Sequence, residues 1–256
     1  MFIRRLGFAG LQLTSGKTSV VIDVLTDMGG LSSFIGSGPG ALPEPAPAQL
    51  ALVTHLHRDH ADPDAIRAAL VPGGRVLRPA PMEGGRMETA ALAEAEAGLA
   101  GIPQQVVTEW ETVTEGPFTI TAVPAVDGFG DPQVSYVVEA DGFRILHGGD
   151  TLFHGSWWII AIRCGPLDIA FLPVNGAVCD FPHRQPASGL PATMDPLQAA
   201  TAASLLQARR VVPIHYGLDA PSVYVETSDA PNRLADAARA AGVEPLLVAP
   251  GETVSV

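Results

Sequence analysis

The sequence predicts an α+β fold in which two β-sheets pack together under a cover of helices. Three observations lead there. The composition is that of a globular protein, with 47% apolar and 16% charged residues and with Gly and Pro spread along the chain. Short strand-like runs bounded by Gly, Ser, Pro or Asp recur from end to end, broken by a few helical stretches. A strand-rich half carrying a helix is followed by a second half of the same kind, a pattern that suggests two sheets. At 256 residues the chain has room for a sizeable core. No internal repeat or long linker asks for a boundary, so one domain over 1–256 is expected.

The elements follow in order. Ile3–Leu6, Leu11–Thr14 and Ser19–Val24 read as a β-meander, and Leu50–Thr54 as a buried strand. Gly36 to Pro47 is the densest Pro/Gly stretch and reads as an ordered surface loop. Asp62 can cap a helix running through Leu70, with Pro63 suited to its first turn. Thr89–Leu99, rich in Ala, Glu and Leu, is a second helix. Strands are expected at Gln105–Thr108, Phe118–Val123, Val134–Glu139, Phe143–His147 and Asp168–Pro173. Cys179 to Pro191 is a loop. A helix from about Pro196 to Ala208 precedes strand Arg210–Ile214, a helix near Asn232–Ala241 follows, and Leu246–Ala249 and Thr253–Val256 close the chain as strands.

Charge and composition exclude several classes of function. A net charge of −12, from 15 basic against 27 acidic residues, argues against nucleic acid, whose phosphates are bound by Lys and Arg clusters. No window approaches the roughly 18 apolar residues of a membrane span. Met1-Phe2-Ile3-Arg4-Arg5 leads into a turn at Gly7 without the apolar stretch of a secretory leader. The only cysteines, Cys164 and Cys179, make no disulfide framework, so the cytoplasm is the expected compartment. Composition leaves homo-oligomerisation open.

The chemistry concentrates in Thr54-His55-Leu56-His57-Arg58-Asp59-His60, where three of the seven histidines fall within six residues. His55 and His57 stand two apart at a strand end and can share one face. Imidazole and carboxylate are the donors for zinc and, with more oxygen, for manganese or iron. A single histidine is ordinarily structural or solvated. Three imidazoles and a carboxylate buried after an apolar strand cost several kcal/mol unless something pairs them, and a metal does.

Two further strand ends deliver matching residues, Asp150 after Phe143–His147 and His215 after Val211–Ile214. Either alone would be an ordinary turn or a structural histidine. His147 and His154 flank Asp150 as candidates to orient ligands, with a packing role the plainer expectation for His147. His183 and Arg184, in the loop Phe181–Pro186, are candidates to hold a substrate anion, the alternative being an exposed loop. Tyr216 is a candidate donor to an oxyanion, and Trp157-Trp158 reads as core or pocket wall.

These motifs resemble the metallo-β-lactamase superfamily. They are the His-x-His-x-Asp-His run, Gly149-Asp150-Thr151 and Pro213-Ile214-His215-Tyr216. Gly149-Asp150-Thr151-Leu152-Phe153, Phe171-Leu172-Pro173-Val174, Thr193-Met194, Leu6-Gly7-Phe8-Ala9-Gly10 and Val21-Ile22-Asp23 look closest to the branch around L-ascorbate-6-phosphate lactonase. The resemblance implies a four-layer αββα sandwich and two divalent metal ions, with zinc first and manganese or iron as alternatives. It implies that His55 and His57 bind one ion, that Asp59, His60 and His215 bind the other, and that Asp150 bridges them. Where the family usually has a further histidine, this chain has Asp127. A carboxylate there can coordinate and favours manganese or iron, or it can leave that site weak; a turn Asp before Gly128 is its ordinary role. The implied chemistry is hydrolysis of a small anionic ester, a lactone or phosphodiester, by metal-activated water, with Asp59 or Asp150 taking the proton. A metal-poor relative acting as a binding or regulatory module is the alternative that Asp127 raises, and a nuclease is a further one that the acidic balance disfavours.

Overall fold

The computed structural model describes residues 1–26, 38, 42–81, 88–218 and 222–254, with backbone alone at 88–91. Residues 36–37 and 39–41 of the loop expected at Gly36 to Pro47, and residues 255–256 of the last expected strand, lie outside them.

Strands β1 (Phe2–Gly7), β2 (Gly10–Ser15) and β3 (Thr18–Ile22) form the expected antiparallel meander. β4 (Ala48–Leu52), β5 (Leu70–Arg78) and β6 (Gln104–Val106) continue this sheet in parallel, and β16 (Thr253–Val254) closes its other edge against β1. The order is β16-β1-β2-β3-β4-β5-β6. The second sheet contains β7 (Thr112–Glu115), β8 (Phe118–Pro124), β9 (Val134–Ala140), β10 (Phe143–His147), β11 (Ile169–Pro173), β13 (Arg210–Ile214) and β15 (Glu244–Pro245). Its order is β15-β13-β11-β10-β9-β8-β7, antiparallel from β7 to β10 and parallel beyond. A two-stranded ribbon pairs β12 (Val178–Cys179) with β14 (Tyr224–Val225).

Alternation along the strands sorts the side chains into three apolar layers. Val20 and Ile22 of β3, with Ile169, Phe171, Val212 and Ile214 from the second sheet, fill the space between the sheets. The opposite faces receive the helices. Val21, Ala51 and Val76 meet α1 (Pro63–Ala69) and α2 (Glu88–Gly98) through Ala65, Ile66, Leu92 and Ala95. Ala170, Leu172 and Val211 meet α3 (Trp157–Cys164), α4 (Pro196–Leu205) and α5 (Ala230–Ala240) through Trp157, Ile160, Ala199, Ala203, Leu234 and Ala238. Helices therefore flank two mixed sheets packed face to face, the architecture expected of an αββα sandwich. No helix of the described residues is long and apolar enough to cross a membrane.

Local chemistry sets the element ends. Asp62 accepts from Asp64 N and Ala65 N at the start of α1, and Leu70 already belongs to β5 instead of the helix expected to include it. Asp195 and Gln198 make a reciprocal capping box at α4, and Gln207 at φ 53° ends the helix short of the expected Ala208. The strand expected at Leu246–Ala249 is replaced by Glu244–Pro245. Leu246 N still reaches Val211 O at 2.9 Å, and the Arg5 guanidinium takes the Val248 carbonyl at 2.6 Å. Trp157 is fully buried, whereas Trp158 is 55% exposed and belongs to no core.

Candidate metal centre

All the metal candidates read from the sequence lie at strand ends along one seam between the sheets. The first sheet delivers His55, His57, Asp59 and His60 just beyond β4. The second delivers Asp127 after β8, Asp150 after β10 and His215 after β13. The chain folds tightly through the histidine run, with His60 N and Ala61 N both donating to His57 O. Asp23, at φ 46°, turns the chain after β3 and places its carboxylate beneath this run. Gly149, at φ 65°, turns the chain after β10, and a Cβ there would stand 2.9 Å from Thr54 Oγ1. A Cβ on Gly128 would lie 2.0 Å from Ala192 O, so only glycine lets the two segments pass. Thr151 Oγ1 accepts from Val126 N at 2.9 Å and so ties the Asp127 segment to Asp150.

The seven residues sort into two groups. Donor atoms of His55, His57, Asp127 and Asp150 all lie within 4.8 Å of one another, as do those of Asp59, His60 and His215. The groups adjoin, with the His55 and His60 rings 4.2 Å apart. Ring nitrogens facing away from the donors are held. His60 Nδ1 donates to Asp23 Oδ2 at 2.7 Å, and His57 Nε2 to Asp131 Oδ2 at 2.7 Å. Thr54 Oγ1 gives its proton to Asp23 Oδ2 at 2.7 Å and lies 3.1 Å from His55 Nδ1, which it can therefore receive as an acceptor. These partners assign the inward atoms as His55 Nε2, His57 Nδ1 and His60 Nε2.

Whether the residues suit a metal is tested by their inward atoms. Among the described residues, His60 Nε2, His215 Nε2, Asp127 Oδ2 and Asp150 Oδ1 are buried without a hydrogen-bond partner. Each such atom costs about 1–3 kcal/mol if nothing pairs it. Four converging on one place amount to a large share of the roughly 5–15 kcal/mol stability of a domain. Imidazole nitrogens and carboxylate oxygens in this arrangement fit divalent cations.

The charges agree. Burial pushes His55 well down, helped by the neighbouring imidazoles of His60, His57 and His215. Burial opposes the charged form of His57 too, but the Asp131 hydrogen bond and the carboxylates of Asp127, Asp150 and Asp59 outweigh it and raise the group to about 9. Asp23 and Asp59 likewise overcome burial at His60 and raise it to about 10. Asp59 is held well below the usual carboxylate range by His60 and His215, against its own burial. Asp127 is pushed up to about 6 by burial and by Asp150.

The other candidates stand around this centre. Arg184 Nη1 donates to Phe129 O at 3.2 Å, Nη2 lies 3.6 Å from Asp131 Oδ2, and the guanidinium sits 4.4 Å over the Phe129 ring. His183 is exposed and stacks on Phe181 at 5.5 Å. Tyr216 is half-buried, its hydroxyl accepting from Arg5 Nη1 at 2.8 Å. His147 donates from Nε2 to Ala9 O at 2.7 Å, and burial lowers it. His154 stacks on Trp157 at 4.1 Å and is lowered to about 4 by burial. Sequence reasoning missed two carboxylates. In the sequence Asp23 stands out only as part of Val21-Ile22-Asp23, and Asp131, between Gly130 and Pro132, reads as a turn residue.

The chain is similar to known proteins over most of its length. A family described as a β-lactamase superfamily domain matches residues 18–216. A UPF0173 metal-dependent hydrolase of Thermococcus kodakarensis is 30% identical over 222 residues, 84% of each chain. A metallo hydrolase from the hyperthermophilic archaeon Ignicoccus hospitalis superposes with a TM-score of 0.69 at 20% identity, over 99% of this chain and 97% of that one. CmlA, a diiron β-hydroxylase from Streptomyces venezuelae, gives 0.75 at 17% identity, over 100% of this chain and 54% of that one. At such identities the two structures speak for the fold alone.

Proposed function

This chain belongs to the β-lactamase superfamily and is a metal-dependent hydrolase, and on that premise we propose that it cleaves a small anionic ester, of lactone or phosphodiester type, at a two-metal centre. The observation that carries the reading is the convergence of unpartnered, buried donor atoms from both sheets on one seam. That shared site also supports treating 1–256 as one domain. His55, His57 and Asp127 would hold one cation, Asp59, His60 and His215 the other, and Asp150 both. Zinc is the first candidate, with manganese or iron next because Asp127 adds a hard oxygen donor. Bound there, a pair of divalent cations would lower the pKa of water towards neutrality and offset negative charge on the attacked group.

The chain's own residues divide the remaining work. Asp59 stays ionised between His60 and His215, and its side chain is 15% exposed, so a proton it accepts can leave to solvent. Asp150 is the second candidate acceptor. Asp23 and Asp131 hold two imidazoles by the nitrogen that does not face the centre, so those rings do not have to reorganise as charge develops. Two dications against the carboxylates of Asp59, Asp127 and Asp150 would give the ligand set one net positive charge before the water ionises, which suits the approach of an anion. Arg184, His183 and Tyr216 remain candidates to contact it. The likeness of the Gly149–Phe153 run to the ascorbate-phosphate lactonase branch supports trying lactones first. The two unpaired cysteines support a cytoplasmic setting.

Elemental analysis of protein purified without chelator or histidine tag tests the centre. Close to two metals per chain, falling towards one in Asp127→Ala, is expected, with hydrolysis of the lactone and phosphodiester panel abolished by chelator and restored by metal. No metal after incubation with zinc, manganese and iron would defeat the reading and leave a binding module on this fold.

A further inference from the structure

The segment Asp127-Gly128-Phe129-Gly130-Asp131 folds around its own first side chain. Asp127 Oδ1 accepts from Phe129 N at 2.7 Å and from Asp131 N at 3.1 Å, which leaves Oδ2 facing His57 Nδ1 at 3.7 Å. The same turn carries Asp131 to the far side of His57, where Oδ2 accepts from Nε2 at 2.7 Å. One short loop thus sets both Asp127 and the ring plane of His57. The Asp131 side chain is 2% exposed, so solvent does little to hold it. What holds it from outside is Arg184, which lies 3.6 Å from the same oxygen, donates to the Phe129 carbonyl and covers the Phe129 ring.

We propose that Asp131 is a positioning residue of the metal centre, and that Arg184 clamps the 127–131 loop so that His57 and Asp127 stay aimed at the metal. Fixing Nε2 as the donor leaves the lone pair of His57 on Nδ1, the nitrogen that lies 2.9 Å from His55 Nε2. Arg184 in this role is part of the scaffold; a guanidinium spent on Asp131 and Phe129 has less freedom to follow a substrate. The proposal rests on the metal-centre reading given above.

The test is metal titration of chelated, refilled full-length protein, with cobalt as a second metal for its visible spectrum. Asp131→Asn should weaken metal binding by about 10–100-fold, shift the cobalt spectrum and leave the far-ultraviolet circular dichroism unchanged. Arg184→Gln should act in the same direction and by less. Wild-type affinity and an unchanged cobalt spectrum in Asp131→Asn would overturn the positioning role, and unchanged affinity in Arg184→Gln would overturn the clamp, both without touching the hydrolase reading. Failure of the wild-type protein to bind any metal would overturn both readings. Should Asp131→Asn not fold, imidazole nitrogen NMR of the wild-type protein decides. A protonated His57 Nε2 with metal at Nδ1 is required, and the reverse arrangement overturns the proposal.

Discussion

Asp23 accepts three hydrogen bonds beneath the histidine run, from Thr54 N, Thr54 Oγ1 and His60 Nδ1. It is buried, sits at φ 46°, and joins the end of one strand to the loop that follows the next. Its loss would take from buried His60 the counter-charge that does most to raise it to about 10. Removing one member of such a pair costs about 3–5 kcal/mol. Asp23→Ala should therefore lower Tm by about 6–20 °C in a chain of this length, each kcal/mol being worth about 2–4 °C. The bound metal should also drop towards one per chain, because His60 loses its orientation. Scanning calorimetry with elemental analysis checks both. A drop in Tm with full metal content would make Asp23 a support for the loop and not for the ligand. Its neighbour in space, His147, shows the contrast, since Nε2 donates to Ala9 O and Nδ1 accepts from Gly149 N, so neither nitrogen is left for a metal.

At the level of elements, the capping box at α4 separates stability from function. Asp195 accepts from Gln198 N at 2.8 Å at the start of α4 and belongs to neither group of metal donors. Asp195→Ala should cost about 1 kcal/mol, a fall in Tm of about 2–4 °C, with metal content unchanged; a loss of metal would mean that this helix positions the site. Elements like this were legible because their signals are local. Asp62-Pro63 and Asp195-Pro196 mark helix starts, and β3, β11 and β13 are apolar runs of strand length. β5 escaped notice because Val71-Pro72-Gly73-Gly74 reads as a turn at its start, although Val76 and Leu77 are fully buried. α3 escaped because Trp157-Trp158-Ile159-Ile160 has strand-like residues and Ser156 makes no side-chain cap. The ribbon of β12 and β14 has two residues a side and exists only through its long-range pairing. The site divides in the same way. His55 to His60 are contiguous and announce themselves, and Asp150 and His215 sit at apolar strand ends. Asp23 and Asp131 are single acidic residues whose partners lie 37 and 74 positions away, a relation that no window of sequence contains.

At the level of the whole molecule, the two sheets contribute ligands to one seam, so protonation of the centre and stability of the fold are linked. In chelated protein His57 and His60 hold their protons to about 9 and 10, whereas unfolded imidazoles release them near 6.5. The folded state then binds more protons than the unfolded state between those values, so stability falls as pH rises through that window. The contribution is complete below about pH 6.5 and lost above the folded values. Asp127, raised to about 6, adds a fall of the same sign at lower pH, between the unfolded carboxylate value and its own. Metal binding runs the other way, because a cation must displace the protons on His57 Nδ1 and His60 Nε2, and affinity rises by up to about tenfold per pH unit for each proton released. Tm of chelated protein should therefore decline between pH 6.5 and 9 while the gain in Tm on adding a fixed concentration of metal grows. Thermal scans with and without metal at half-unit steps measure both curves. Divergence of the two with rising pH places the displaced protons on the ligand nitrogens. A metal-induced gain independent of pH would mean that the ligands are already deprotonated in the chelated protein, and that the Asp23 and Asp131 contacts hold neutral rings.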